Sequence, residues 1–152
     1  LSERLEPEFS RALRKNHPIT FLLMDLDHFK AINDTYGHLA GDLALKTTAQ
    51  IVAAHTRQSD IACRYGGEEF IVIMPEIGID DALQRAEHFR KDIDDLQIEF
   101  EGKVIHVTVS IGVAVYPLQE IDRDKILSMA DTAMYQAKQA GRNKVVLYSA
   151  DN

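Results

Sequence analysis

The chain has 152 residues, of which 45% are hydrophobic and 27% are charged, and this length and apolar content suit a single domain, residues 1–152, with its own core. The formal net charge of −7 argues against a nucleic-acid polymer or an anionic membrane as a partner. The one cysteine, Cys63, allows no disulfide within the chain, and no apolar run is long enough to span a membrane, so we expect a cytoplasmic domain.

The first third of the chain alternates regular elements with short breaks, according to its apolar periodicity. The predicted elements are a helix over 1–15, a core strand over 19–25, a short helix over 28–35, a loop over 36–41 and a helix over 42–55. The first helix has one apolar stripe and is interrupted, or started, by Pro7. Because the chain begins inside this helix, we expect it to be part of a longer protein that carries a sensory module.

The middle of the chain predicts a β-hairpin followed by a long helix. Two apolar runs, over 61–65 and 70–74, are separated by Gly66-Gly67 and predict the hairpin. A tight turn of the primed type needs positive φ at both central residues, which glycine adopts without a steric cost. The helical pattern over 79–96 has apolar residues at three- and four-residue spacing.

The last third predicts a second hairpin, a strand, a helix and a final strand. Their predicted bounds are 98–100 and 103–110 for the hairpin, 111–116 for the strand, 122–140 for the helix and 144–148 for the final strand. Gly112 marks a bulge, Asp122 or Asp124 caps the helix, and Gly141 ends it in a left-handed conformation. Hairpins mixed with helices predict an α/β (α+β) fold with a central, largely antiparallel mixed sheet flanked by helices.

Two predicted core strands have acidic residues at one end. The first strand ends in Asp25-Leu26-Asp27, and the second strand of the hairpin begins with Glu68 and Glu69. Only one of two adjacent strand carboxylates can face a given pocket, and the neighbouring glycines leave room for a ligand. For Gly-Gly-Glu alone, a solvated turn is the simpler interpretation. Two acidic strand ends favour a metal-dependent site for phosphoryl transfer.

Four motifs, RYGGEEF, DLDHFKAINDTYGHLAGD, SIGVA and YQAKQAGRN, together resemble the GGDEF family of diguanylate cyclases. They occur in the family's order between Ile19 and Tyr148, with Glu68 where the family name has Asp. The resemblance implies a palm-like α/β sheet. It also implies that two GTP molecules condense into cyclic di-GMP and two pyrophosphates across a homodimer, with Mg²⁺ or Mn²⁺ as the cofactor.

The resemblance assigns a role to each residue that matches a motif position. It implies that Asp25, Glu68 and the backbone carbonyl of Leu26 bind metal, and that Glu68 and Lys30 take part in catalysis. Asp27 and Glu69 are explained equally well as metal contacts and as supporting or solvent-facing acids.

Further matching positions would bind the nucleotide. Lys138 and Arg142, four residues apart near a helix end, would bind phosphates, although cations there also complement the helix dipole. Asn33 and Asp42 would read guanine, since a carboxylate accepts from the donors of the base, although both could instead act as helix caps. His38 either borders the nucleotide or has a structural role.

Arg57 and Asp60 precede the hairpin by the offset of the family's inhibitory site, which binds the product cyclic di-GMP. By itself this pair is typical of a surface ion pair of small energetic worth. The family pattern adds an arginine from the helix predicted over 79–96. This chain has His88 at that position, with Arg85 and Arg90 nearby, and this departs from the pattern.

Two rival functions remain open from the sequence. One is a catalytically silent receptor for cyclic di-GMP, which would use Arg57 and Asp60. The other is a cyclase of relaxed nucleotide choice. The silent receptor is disfavoured by the intact Asp25, Glu68, Lys30 and Asp42. Relaxed nucleotide choice is disfavoured by Asp42.

Overall fold

A computed structural model describes residues 18–116 and 123–149, so the helix predicted over 1–15 lies outside the described residues. The remaining predicted elements are all present, with shifted bounds. They are β1 Ile19–Leu26, α1 Phe29–Tyr36, α2 His38–Ala54, β2 Ile61–Arg64, β3 Glu69–Pro75, α3 Ile79–Asp94, β4 Ile98–Phe100, β5 Lys103–Ile105, β6 Val109–Tyr116, α4 Arg123–Gln139 and β7 Lys144–Leu147. Across these ranges, no helix has the length and apolar content needed to cross a bilayer.

The main sheet has five strands in the order β2-β3-β1-β6-β7, and β4 and β5 form a separate two-stranded ribbon. The only parallel pair in the described sheet is β6 with β7, which α4 connects. β1 is central, and Asp25 near its end is opposite Glu69 on one side and Ser110 on the other. The prediction of a largely antiparallel mixed sheet flanked by helices is therefore confirmed.

Helices cover both faces of the sheet. On one face Leu22 and Met24 of β1 belong to a core cluster that includes residues of α2 and α3, among them Phe89. On the other face Phe21 and Leu23 of β1 belong to a second cluster with residues of α4. Every residue of β1 is buried, which explains why its sequence is mostly apolar rather than alternating.

Several predicted boundaries are wrong. The loop over 36–41 is a single residue, Gly37, whose φ of 94° allows α2 to begin directly after α1. The strand over 103–110 is interrupted at 106–108, because β5 belongs to the ribbon and β6 to the main sheet. Asp124 lies inside the first turn of α4 rather than at its cap, and Asp122 lies outside the described residues.

The turn at Gly66-Gly67 is not of the primed type. The glycines with positive φ among the described residues are Gly37, Gly102 and Gly141, and the pair in the hairpin is absent from this set. Arg64 pairs with Phe70, so the connection contains more residues than a two-residue turn. A longer connection has other geometries available and does not need left-handed residues.

The bulge predicted at Gly112 is also wrong, because β6 keeps an uninterrupted register with both of its neighbours. A Cβ added at Gly112 would lie 2.1 Å from the carbonyl oxygen of Ala130 and 2.3 Å from the backbone nitrogen of Met134. The glycine is therefore needed because the backbone of α4 approaches the sheet at this point. This close packing fixes the height of α4 over the sheet.

Candidate active site

Asp25 is a buried carboxylate with one unsatisfied oxygen. Asp25 is 4% exposed, and its Oδ2 accepts a hydrogen bond of 2.5 Å from Nζ of Lys138. Oδ1 is buried and has no hydrogen-bond partner. Burial raises the pKa of Asp25. The hydrogen bond and charge of Lys138 oppose this rise, whereas the nearby charges of Asp27 and Asp131 add to it. A bound cation would satisfy this buried oxygen, which lies among other acidic groups and has no hydrogen-bond donor.

The hairpin tip, residues 65–68, lies beside the end of β1. The backbone N–H of Leu26 donates to the carbonyl of Glu68 over 3.2 Å, and that of Tyr65 donates to Glu69 over 2.8 Å. Burial, and then the charge of Asp25, raise the pKa of Glu68. Burial, Asp25 and Asp131 raise that of Glu69. The two acidic strand ends that the sequence predicted therefore lie close enough for their charges to interact.

Arg64 holds the hairpin tip in place, a role that the sequence motifs do not indicate. Its guanidinium donates to the carbonyl of Gly67 over 3.2 Å from Nε and 2.5 Å from Nη2, and to that of Gly66 over 3.3 Å. These bonds supply donors to the carbonyl groups of the two glycines, which have no strand partner in this longer connection. The signal available in the sequence was an arginine two residues before a glycine pair.

The residues at this position fit a divalent cation. Within the described ranges, no three side chains of the types His, Cys, Asp and Glu form a metal-binding group. Asp25 and Glu68 would supply two carboxylates, and Leu26, which follows Asp25, is bonded through its N–H to the carbonyl of Glu68. Mg²⁺ is commonly held by one or two carboxylates together with substrate phosphates and water, rather than by a complete protein cage.

Asp27 has a different environment from Asp25. It is 3% exposed and both of its oxygens are engaged. Oδ1 accepts from the hydroxyl of Ser110 over 2.6 Å, and Oδ2 accepts from the hydroxyl of Thr108 over 2.7 Å and from the backbone N–H of Asn143 over 3.0 Å. Of the two roles left open by the sequence, these contacts favour that of a supporting acid.

The residues expected to read guanine lie at the junction of α1 and α2. Asn33 has a buried Oδ1 with no hydrogen-bond partner, and a Cβ added at Gly41 would lie 1.8 Å from this atom. The glycine thus leaves the space that the amide of Asn33 occupies. Asp42, the next residue, is exposed, as are His38 in the first turn of α2 and Lys30 in α1.

The two expected phosphate-binding cations lie at the C-terminal end of α4. Lys138 is in the last turn and bonds to Asp25, so it does more than complement the helix dipole. Arg142 is exposed and lies just beyond the helix. Gly141, with φ of 115°, ends the helix as predicted: its N–H donates to Lys138 over 3.4 Å, and that of Arg142 donates to Ala137 over 3.0 Å. These two bonds form a Schellman motif.

Arg57 and Asp60 come together at the other end of β2 from the hairpin tip. The side chain of Asp60 is fully buried and pairs with Nη2 of Arg57 over 2.9 Å and with Nη2 of Arg85 over 2.6 Å. Both arginines contribute to a lowered pKa of Asp60, against its burial. Arg85 is thus the arginine of α3 that pairs with Asp60, whereas His88 is exposed and Arg90 bonds to Glu87 and Asn143.

Comparison with known proteins identifies the family. Residues 1–144 match the family described as diguanylate cyclase, GGDEF domain. Diguanylate cyclase A of Treponema denticola is 45% identical over 133 residues, which are 88% of this chain and 36% of that protein. The chain therefore spans about a third of the length of this curated relative.

Solved structures share the fold. The GGDEF domain of DgcB from Caulobacter crescentus, in complex with c-di-GMP, has a TM-score of 0.88 at 29% identity, with 96% of this chain and 86% of that chain covered. The active GGEEF domain of a diguanylate cyclase from Vibrio cholerae has a TM-score of 0.84 at 30% identity, with 94% and 90% covered. From the match over residues 1–144 and this common fold, we conclude that the chain belongs to the GGDEF-domain family of diguanylate cyclases.

Proposed function

We propose that this domain condenses two GTP molecules into cyclic di-GMP. The observation that carries the proposal is the buried Oδ1 of Asp25, which has no partner although it lies beside Lys138 and within the electrostatic reach of Glu68. A buried carboxylate oxygen without a donor is suited to bind a metal ion that is also bound by the polyphosphate of a nucleotide. The fold and the family support the choice of GTP.

In this mechanism the 3′-hydroxyl of each GTP attacks the α-phosphate of the other. Two phosphodiester bonds form and two pyrophosphates leave. Asp25, Glu68 and the carbonyl of Leu26 would hold Mg²⁺ or Mn²⁺, which neutralises polyphosphate charge and polarises the phosphoryl group. Glu68 would also accept the hydroxyl proton of the attacking nucleotide.

The remaining site residues would bind the nucleotide. Lys138, which bonds to Asp25, and Arg142, four residues farther along the chain, would bind the phosphates, together with the exposed Lys30 of α1. Asn33 and Asp42 would accept hydrogen bonds from guanine, with His38 at the border of the pocket. The unpartnered Oδ1 of Asn33 supports this assignment, because guanine offers donors along its edge.

The direct test is to incubate the protein with GTP and Mg²⁺ and to search for cyclic di-GMP by chromatography. We expect the dinucleotide and pyrophosphate in a ratio of one to two, and neither product when a chelator is added. ATP in place of GTP should give no product. A protein that binds GTP but makes no dinucleotide at any protein concentration would contradict the proposal.

We expect the rate per mole of protein to rise with protein concentration. One set of Asp25, Glu68 and Lys138 holds one GTP, while the product contains two guanylates joined by two reciprocal bonds. Two copies must therefore meet with two-fold symmetry, each presenting its nucleotide to the other. A coiled coil fused before Leu1 should increase the specific activity, because it raises the effective concentration of the second copy.

The measurement is specific activity over a hundredfold dilution, with the oligomeric state followed by light scattering. A monomeric fusion that carries a broken coiled coil is the matched control. Activity per mole that stays constant while the protein is monomeric throughout would contradict the requirement for a second copy.

A second function, the binding of product, is favoured by the cluster of Arg57, Asp60 and Arg85. Asp60 is fully buried between the two guanidinium groups, whereas the side chain of Arg57 is 44% exposed. The guanidinium of Arg57 is therefore the group available to a ligand, and it suits a phosphate or the guanine edge of cyclic di-GMP. This site would give product feedback in a cyclase, or would act alone in a catalytically silent receptor.

We expect Arg57→Ala to weaken the binding of cyclic di-GMP by more than about tenfold, because a charge-assisted contact to a phosphate or a base is lost. Calorimetry with the purified dinucleotide measures the effect. Lys91→Ala, which removes an exposed cation of α3, is the control and should leave the affinity unchanged. Equal affinities for the parent and the Arg57 variant would reduce this cluster to a structural ion pair.

A further inference from the structure

Asp27 connects three separate parts of the chain through one carboxylate. It directly follows β1, and its own N–H donates to the carbonyl of Thr108 over 2.9 Å. Its side chain accepts from the hydroxyls of Thr108 and Ser110, before and within β6, and from the backbone N–H of Asn143, before β7. The end of β1 that carries Asp25 is thereby tied to the turn after α4.

That turn has an unusual backbone. Gly141, Arg142 and Asn143 have φ of 115°, 65° and 49°, so three successive residues are left-handed. Glycine adopts this conformation freely and asparagine tolerates it, but for arginine it is unfavourable. A conformation of this kind persists only where surrounding contacts enforce it. The bond from the N–H of Asn143 to Asp27 is one such contact.

The side chain of Asn143 supplies the other contacts, on the side away from Asp27. Its Nδ2 donates to the carboxylate of Asp94 over 3.3 Å, and its Oδ1 accepts from Nη1 of Arg90 over 2.9 Å. Both partners lie at the C-terminal end of α3. The turn is therefore held from two directions, by a buried acid at the end of β1 and by an ion pair on α3.

We propose that Asp27 is a positioning residue that acts through Asn143 to hold Arg142 at the phosphate-binding side of the site. This inference rests on the proposed function, since it needs Arg142 to bind the polyphosphate of GTP. Asp27 itself would contact neither metal nor nucleotide, because it is buried and both of its oxygens already accept hydrogen bonds. Its carboxylate sets the distance between the metal-binding end of β1 and the turn that carries the cation.

The test compares two nucleotides, of which only one carries the β- and γ-phosphates that Arg142 would bind. A triphosphate with a methylene bridge between the α- and β-phosphorus atoms cannot release pyrophosphate, and GMP lacks the β- and γ-phosphates. We expect Asp27→Asn to weaken the binding of the triphosphate by about tenfold, which is the lower end of the usual effect of removing a residue that supports a binding residue. The binding of GMP should weaken by less than about twofold. Calorimetry in Mg²⁺ measures both affinities.

Two further variants show the route of the effect. In an Arg142→Ala background, Asp27→Asn should cause little additional loss of triphosphate affinity, because the residue it positions is gone. Ser110→Ala removes a bond to the other oxygen of Asp27 but leaves Asn143 bonded, so it should preserve the preference for the triphosphate. If Asp27→Asn does not fold, Asn143→Gly loosens the same turn from its α3 side and should give the same selective loss.

The outcomes separate this inference from the proposed function. A parent protein that does not bind the triphosphate contradicts the proposed function itself. A parent that binds it, with variants that lose triphosphate and GMP affinity equally, contradicts only the positioning role of Asp27. Losses from Asp27→Asn and Arg142→Ala that simply add would contradict it too.

Discussion

Glu68→Gln is expected to reduce the rate of cyclic di-GMP synthesis by more than about 100-fold. This loss exceeds the usual effect of removing a residue that only supports a metal ligand, because Glu68 would bind the metal itself. The substitution keeps the shape of the side chain but removes the charge that completes the cation site with Asp25. It also removes the proposed acceptor of the hydroxyl proton. The measurement is the rate of product formation at saturating GTP and Mg²⁺.

The same variant should be at least as stable as the parent in the absence of metal. The pKa of Glu68 is raised in the folded protein by burial and by Asp25, so at neutral pH its charge disfavours the folded state. Glutamine has no such charge, and the thermal midpoint should stay equal or rise. Glu99→Gln, on the exposed side of β4, is the control and should change neither quantity. Product formed by Glu68→Gln at the parent rate would refute the site assignment.

Gly112→Ala is expected to lower the free energy of unfolding by about 3 kcal/mol, the upper part of the usual range for an overpacked core. The new methyl group would meet backbone atoms of Ala130 and Met134, which cannot move unless the whole of α4 moves. Such a shift would also displace Lys138 from Asp25. Urea unfolding measures the loss of stability, and a GTP titration measures the effect on the site.

Gly78→Ala is the matched control for this prediction. Gly78 has φ of −75° at the start of α3, and a Cβ added there would have no atom within 4 Å. Its only expected cost is a weaker helix cap, below about 1 kcal/mol. If Gly112→Ala were as stable as Gly78→Ala, the close approach of α4 to the sheet would not be a requirement of the fold.

The order and type of the elements could be predicted because their apolar patterns are strong. The run from Ile19 and the three-four spacing after Ile79 each have one good solution, a buried strand and an amphipathic helix. The errors lie where tertiary contacts override a local signal. Gly112 looked like a bulge, yet it serves a helix that is distant in sequence. Gly37 looked like part of a loop, yet it joins two helices directly.

The candidate site shows the same division. Asp25, Glu68 and Asn33 stand out in the sequence through their motifs, and the structure gives Asp25 and Asn33 unpartnered oxygens. The roles of Arg64 and Asp27 depend on which backbone groups their side chains reach. No local pattern states that Asp27 meets Asn143 or that Arg64 meets Gly67. Such contacts follow only from the pairing of strands that are far apart along the chain.

The central position of β1 has a consequence for folding during synthesis on the ribosome. β1 is made before both of its neighbours, since β3 emerges later and β6 much later. Until then a strand that is buried throughout in the folded domain has two open edges, a state that favours pairing with other chains. Pairings between distant segments also form slowly. We therefore expect newly made chains of this domain to depend on chaperones until Val109–Tyr116 has left the ribosome.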